Sequence, residues 1–207
     1  MKSLTLFVVS LAPTWFCAPH RQSDPYPRPQ MLTREQWGAK PPVPPWREHK
    51  PFRITIHHAG VGSNRERSLV DKLQGLQAFS QREDKLASGQ TKPPWPDIPY
   101  HWYIDIHGQI AEARDPSLAG DTNTEYDPAG HLLIVLEGNF EVEEPTAGQI
   151  RALDAMVMYL AEKYGVRPEH IGAHKDFAQT SCPGKNLYPE VAKLRDRWSL
   201  ALKTRGK

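Results

Sequence analysis

The run Leu132-Leu133-Ile134-Val135-Leu136 carries no polar side chain on either of its alternating faces. A strand with one face in water alternates apolar and polar residues; a run without polar positions is covered on both faces, as the central strands of layered α/β sheets are. Gly138-Asn139 follows as turn material. After Pro145, Thr146 and Gln149 stand at capping-box spacing, Ile150, Leu153, Val157 and Leu160 line one helical face, and Gly165 supplies the stop.

Working outward, Arg53-Ile54-Thr55-Ile56-His57-His58 is β-branched and bounded by Pro51 and Gly60, and reads as a buried strand ending at a loop. Leu69, Leu73, Leu76, Phe79 and Leu86 approximate helical spacing and predict a helix from Ser68 to Leu86, broken by the Pro-rich stretch Lys92 to Pro99. Tyr100 to Ile106 alternates, His107-Gly108 can turn, and Gln109 to Glu112 returns, the pattern of a β-hairpin. Downstream, Ile171-Gly172-Ala173 is a short strand, and a last helix runs from about Tyr188 to Leu202. Strands and helices alternate, so the expected fold is a single α/β domain with a central mixed β-sheet covered by helices.

A chain of 207 residues, 39% of them hydrophobic, suits one well-buried domain. A formal net charge of +2 with scattered Lys and Arg argues against a nucleic-acid partner. Met1-Lys2-Ser3 followed by Leu4 to Ala12 reads as a signal peptide, too short to span a bilayer. The expected organisation is a leader over 1–18, a Pro-rich extended arm over 19–46 and the folded domain over 47–204, the fold proper beginning around Phe52. The product is then secreted or periplasmic, with no transmembrane segment in the mature chain; Cys17 offers a lipid anchor as the alternative. Cys17 and Cys182 are the two cysteines, so the mature domain holds one thiol and no internal disulfide.

His57, His174 and Cys182 lie at the ends of inferred strands or in the loop just after them. Two neutral imidazoles and a thiolate suit zinc, and three protein ligands leave a fourth position for water, as in a catalytic site. Taken singly, each has a plainer explanation: a hydrogen-bonded strand-end histidine, or a small core cysteine. Ser181-Cys182-Pro183-Gly184, however, is a polar turn rather than an apolar run.

In order along the chain, Ile54-Thr55-Ile56-His57-His58, Ile98-Pro99-Tyr100-His101-Trp102, Gly138-Asn139-Phe140, and Gly172-Ala173-His174-Lys175-Asp176 through Ser181-Cys182-Pro183-Gly184 resemble the N-acetylmuramoyl-L-alanine amidase and peptidoglycan recognition protein family. The likeness spans roughly Met31 to Trp198. It implies Zn2+ as cofactor on His57, His174 and Cys182. Tyr100 and Thr180 would act on the oxyanion of the reacting amide. Cys182 is often Ser in relatives that bind without cutting and Asp in the cytoplasmic recycling branch, so its presence implies an exported catalyst. The implied partner is peptidoglycan or a muropeptide, cut at the amide between N-acetylmuramic acid and L-alanine; a non-catalytic peptidoglycan-binding module is the alternative.

His58, His131 and Asn139 are candidates for substrate contact, each with a plainer reading. His58 should point away from His57 and make a structural hydrogen bond, His131 could be a solvated loop residue, and Asn139 a turn residue. In the family a Gly-Ala-His loop lines the peptide groove, whereas the corresponding stretch here is Gly120-Asp121-Thr122. His101, His107 and His170 read as loop or edge residues, Trp95 and Trp102 as core or partly covered surface, and Glu141, Glu143 and Glu144 as a solvated approach to the Thr146 helix.

Overall fold

The computed structural model describes residues 25–86 and 89–205; the expected leader and Cys17 lie outside them. In chain order the elements are β1 (Arg53–His58), α1 (Leu69–Ser80), β2 (Asp84–Lys85), β3 (Thr91–Lys92), β4 (Trp102–Ile104), β5 (Ile110–Glu112), β6 (His131–Leu136), α2 (Ala147–Tyr164), β7 (Ile171–Ala173) and α3 (Tyr188–Arg205). Five strands form one sheet in the order β5-β4-β6-β1-β7. Only β5 runs antiparallel to its neighbour, so the sheet is mixed, and the apolar run of β6 sits at its centre.

Alternation along the strands sorts the two faces. Ile54 and Ile56 of β1, with Leu132, Ile134 and Leu136 of β6, join a core closed by α2 and α3. On the opposite face Val135 and Tyr103 pack with Leu69 and Leu73 of α1 and with Trp37. The capping box of α2 forms as the spacing predicts, with Thr146 and Gln149 bonded reciprocally, and Gly165 ends the helix in the left-handed conformation. No helix among the described residues is long and apolar enough to cross a membrane.

Three expectations need correction. Helix α1 stops at Ser80 rather than Leu86, and the chain enters the two-stranded hairpin β2–β3. This hairpin is organised by Lys92, whose buried ammonium donates to the carbonyls of Ser80, Arg82 and Pro93 and lies over the rings of Phe79 and Trp95. Leu86 matched the helical period while belonging to a turn.

Second, order begins well before Phe52. Within the expected arm, Trp37 is 1% exposed and donates its indole N–H to the Glu112 carbonyl at 2.7 Å. Leu32 bridges in parallel to Ala111, accepting from Glu112 N–H and donating to the Ile110 carbonyl, both at 2.9 Å.

Third, His101 is fully buried rather than at an edge. Its Nδ1 accepts the Leu133 N–H at 2.8 Å, its Nε2 faces the Leu118 carbonyl at 2.9 Å, and His49 stacks on the ring.

Candidate metal centre

Four parallel strands place their carboxyl ends on one side of the sheet, the side on which ligands of such folds sit. His57 is the fifth residue of β1, His174 follows β7 directly, and Cys182 closes the loop that returns from it. One ligand-capable atom from each lies within 4.8 Å of the others, and all three residues are buried. His57 Nδ1 is 3.7 Å from the Cys182 Sγ. The sulfur also receives the His58 N–H at 3.4 Å, which ties the Cys182 loop to the end of β1.

The loop is held by a second attachment. Gly184 has φ +92°, and a Cβ there would stand 2.4 Å from the Phe140 carbonyl carbon. Only glycine lets the Cys182-Pro183-Gly184 turn approach the 138–143 turn this closely. Asn186 N–H then donates to the Phe140 carbonyl at 3.0 Å and Lys185 N–H to Glu141 at 2.9 Å.

Burial, then the neighbouring His174, holds His57 well below the usual imidazole pKa; burial, then His58, holds His174 down at about 4. Both rings are therefore neutral at pH 7, the form that offers a lone pair. Burial pushes the Cys182 thiol up to about 12, so it ionises at neutral pH only beside a cation.

The donor set matches zinc geometry where its spacing is defined. With metal–nitrogen bonds of about 2.0–2.1 Å and metal–sulfur bonds of about 2.3 Å, tetrahedral coordination sets nitrogen and sulfur about 3.6 Å apart. The 3.7 Å between His57 and Cys182 fits.

The other predicted residues fall around this cluster in different ways. Tyr100 is close, its ring centroid 5.1 Å from that of His57, and burial raises its phenol pKa well above the ordinary value, so it stays a donor. Thr180 is half-buried, and its oxygen accepts the Cys182 N–H at 3.2 Å, leaving its own proton to donate.

His58 points to the opposite face from His57, as strand alternation requires, and its Nδ1 accepts the Phe140 N–H at 3.2 Å. Asn139 turns its side-chain oxygen to the Glu141 N–H at 3.2 Å, closing a turn. His131 sits at the start of β6, 7% exposed, with Nδ1 2.7 Å from the Thr55 hydroxyl. It is neither solvated nor among the three clustered donors, because the Tyr126 and Phe177 rings cover it at 5.3 and 4.8 Å. Trp102 is core and Trp95 half-buried.

The acidic approach to α2 also differs from expectation. Glu143 accepts from the Ser63 N–H and hydroxyl and from the Asn139 N–H, joining the loop after β1 to the turn after β6.

The loop between β5 and β6 supplies residues that the sequence did not announce. The Thr124 hydroxyl lies 2.8 Å from His174 Nε2 and 2.7 Å from the Thr122 hydroxyl. The Tyr126 ring packs 5.1 Å from that of His174, and its hydroxyl stands 3.5 Å from His57 Nε2. The available signal was the concentration of hydroxyl residues in Thr122, Thr124 and Tyr126, which as a string looks like any polar loop.

Comparison with known proteins places this arrangement. The family model described as N-acetylmuramoyl-L-alanine amidase matches residues 47–185, which include all three clustered side chains. Among solved structures, the endolysin N-acetylmuramoyl-L-alanine amidase LysCS from Clostridium intestinale is 26% identical, with a TM-score of 0.60 over 82% of this chain and 97% of that one. Drosophila peptidoglycan recognition protein SA is 25% identical, with a TM-score of 0.64 over 79% and 91%. Peptidoglycan recognition protein LE, solved in complex with tracheal cytotoxin, shares the fold at 23% identity and TM-score 0.65 over 79% and 92%. No curated protein sequence matches the chain.

Proposed function

Because this chain belongs to the N-acetylmuramoyl-L-alanine amidase family, we propose that it is a zinc-dependent amidase that hydrolyses the bond between N-acetylmuramic acid and L-alanine in peptidoglycan. The observation that carries this reading is the buried convergence of His57, His174 and Cys182 at the carboxyl ends of the parallel strands. A zinc ion held by these three would supply Lewis acidity toward a carbonyl and a water pKa lowered to about 7. The resemblance to a Clostridium amidase over nearly its whole length supports the same chemistry.

The chain's own residues then have definable tasks. His57 and His174 are held neutral and Cys182 is presented at the end of a fixed turn, so the ligands need little rearrangement. Tyr100, protonated far above neutral pH, donates its phenol hydrogen to the carbonyl oxygen as negative charge builds there. The Thr180 hydroxyl, its oxygen occupied by the Cys182 N–H, donates to the same oxygen. Hydrolysis breaks the carbonyl carbon–nitrogen bond: the water oxygen adds to the lactyl carbonyl, which ends as a carboxylate, and both water protons end on the alanine nitrogen, which leaves as an ammonium group. His58 and Asn139 shape the turn after β6, and His131 braces Thr55 of β1, through the hydrogen bonds described.

The test is mass spectrometry of purified peptidoglycan incubated with the protein, with and without a zinc chelator. Chelator-sensitive release of stem peptides with a free N-terminal alanine is expected. Retention of the protein on the wall with no such peptides, even with zinc added, would replace this reading by the non-catalytic recognition module. The exported location expected from the leader is checked separately, by sequencing the N-terminus of the mature protein.

A further inference from the structure

The segment 121–127 turns its hydroxyl groups inward, onto two histidines that belong to other parts of the chain. Thr124 Oγ1 is 2.8 Å from His174 Nε2 and 2.7 Å from Thr122 Oγ1, and Thr122 Oγ1 also accepts the Thr124 N–H at 3.1 Å. The Tyr126 ring lies against His174, and its hydroxyl is 3.5 Å from His57 Nε2. Hydroxyls from one loop therefore stand at the Nε2 atoms of both histidines, while His57 turns Nδ1 toward the Cys182 sulfur.

A neutral imidazole has one protonated and one bare nitrogen, and a metal takes the bare one. A threonine hydroxyl has a single proton, so the Thr122–Thr124–His174 chain has two polarities. In one, Thr124 donates to Thr122 and accepts the His174 Nε2–H, which leaves Nδ1 bare. In the other, Thr124 donates to Nε2 and Nδ1 carries the proton. Only the first is compatible with a metal at Nδ1. Because the Thr124 N–H already fixes the Thr122 oxygen, the two hydroxyls keep their positions whichever way the proton lies.

We propose that Thr124 is a positioning residue for the metal centre: its hydroxyl accepts Nε2–H of His174 and so orients Nδ1 toward the ion, with Thr122 anchoring that hydroxyl and Tyr126 bracing His57. This rests on the metal-centre reading above. A hydrogen-bonded partner on the far nitrogen of a ligand histidine fixes its tautomer and ring orientation and is worth roughly 10- to 100-fold in metal affinity.

The experiment uses the full chain and the variants Thr124→Val, Thr124→Ser, Thr122→Val and Tyr126→Phe. The zinc dissociation constant is measured by competition with a chromophoric chelator, and the visible bands of the Co2+-loaded proteins are recorded. Thr124→Val removes the acceptor at nearly constant volume and is expected to weaken zinc binding roughly 10- to 100-fold and to shift the Co2+ bands. Thr124→Ser, which keeps the hydroxyl, should restore both; Thr122→Val should weaken binding in the same direction by less. Melting of the metal-free proteins separates a local effect from unfolding, and if Thr124→Val melts early, Thr122→Val and Thr124→Ser decide. Zinc affinity and Co2+ bands unchanged in the valine variants overturn the proposal while leaving the amidase intact. A parent chain that takes up no zinc overturns the metal centre and this inference together.

Discussion

At the scale of single residues, Cys182 carries the sharpest demand. A buried thiol pushed up to about 12 loses its proton to solvent at neutral pH only when a cation binds the thiolate, and serine in its place offers a far weaker metal ligand. Cys182→Ser is therefore expected to lose bound zinc on dialysis, measured by elemental analysis, together with peptide release. Full zinc content in that variant would remove Cys182 from the ligand set. His101 makes a different prediction. Burial pushes its pKa down to about 3 in the folded chain, against about 6.5 unfolded. Between these values the unfolded chain binds a proton that the folded one refuses, so the stability His101 contributes is whole above pH 6.5 and drains away as pH falls toward 3. His131, held at about 4 by burial and then Arg53, adds in the same direction. In chelator, the unfolding free energy from urea titrations should fall steadily from pH 7 to pH 4.5, by up to about 1.4 kcal/mol per pH unit for each such histidine. A flat profile would mean that His101 protonates in place. Sequence motifs identified the clustered donors and Tyr100 because the family pattern spells them locally. His101 was misplaced because its burial comes from His49 and the Leu118 loop, neither of them adjacent in sequence.

At the scale of elements, one buried ion pair gathers the ends of several. Glu137, just past β6, accepts from the Lys72 ammonium of α1 at 2.9 Å, from the Asn64 N–H at 2.8 Å and from the Ile106 N–H at 2.9 Å. Its backbone carbonyl accepts from Gln149 of α2 at 2.7 Å. Both charged side chains are almost fully buried, at 6% and 5% exposure. Lys72→Met leaves the carboxylate uncompensated and is expected to destabilise the fold by about 3–5 kcal/mol. The double variant Lys72→Met, Glu137→Leu should lose less than the sum of the single changes, and strict additivity in a denaturation cycle would show that the pair is not coupled. Periodicity and capping chemistry gave α2 to the residue, since Thr146, Gln149 and Gly165 act within their own helix. The end of α1 was not readable in this way. Leu86 lay in phase by chance, and the hairpin that replaces the last turns depends on Lys92, a charged residue that pattern reading assigns to solvent.

At the scale of the whole molecule, the central place of β6 followed from its all-apolar run, which has to be covered on both sides, and the mixed sheet from the alternation of strands and helices. What these patterns could not show is that the segment before Phe52 belongs to the fold. A Pro-rich stretch without periodicity gives no sign of docking, yet Trp37 fills the α1 side of the core. The docked segment also decides what the sheet presents to other molecules. Strand β5 is an outermost strand, and its outward amide groups are engaged by Leu32 and Trp37. An outer strand left bare is a template onto which a second chain can add its own. A protein beginning at residue 47 should therefore keep the three clustered donors but self-associate through β5, seen as growing particle size in light scattering, while the longer chain stays dispersed. The tryptophan and leucine of an apparently idle segment would in that case act as a plug against fibrous growth, a form of solubility control set by backbone pairing rather than by surface charge.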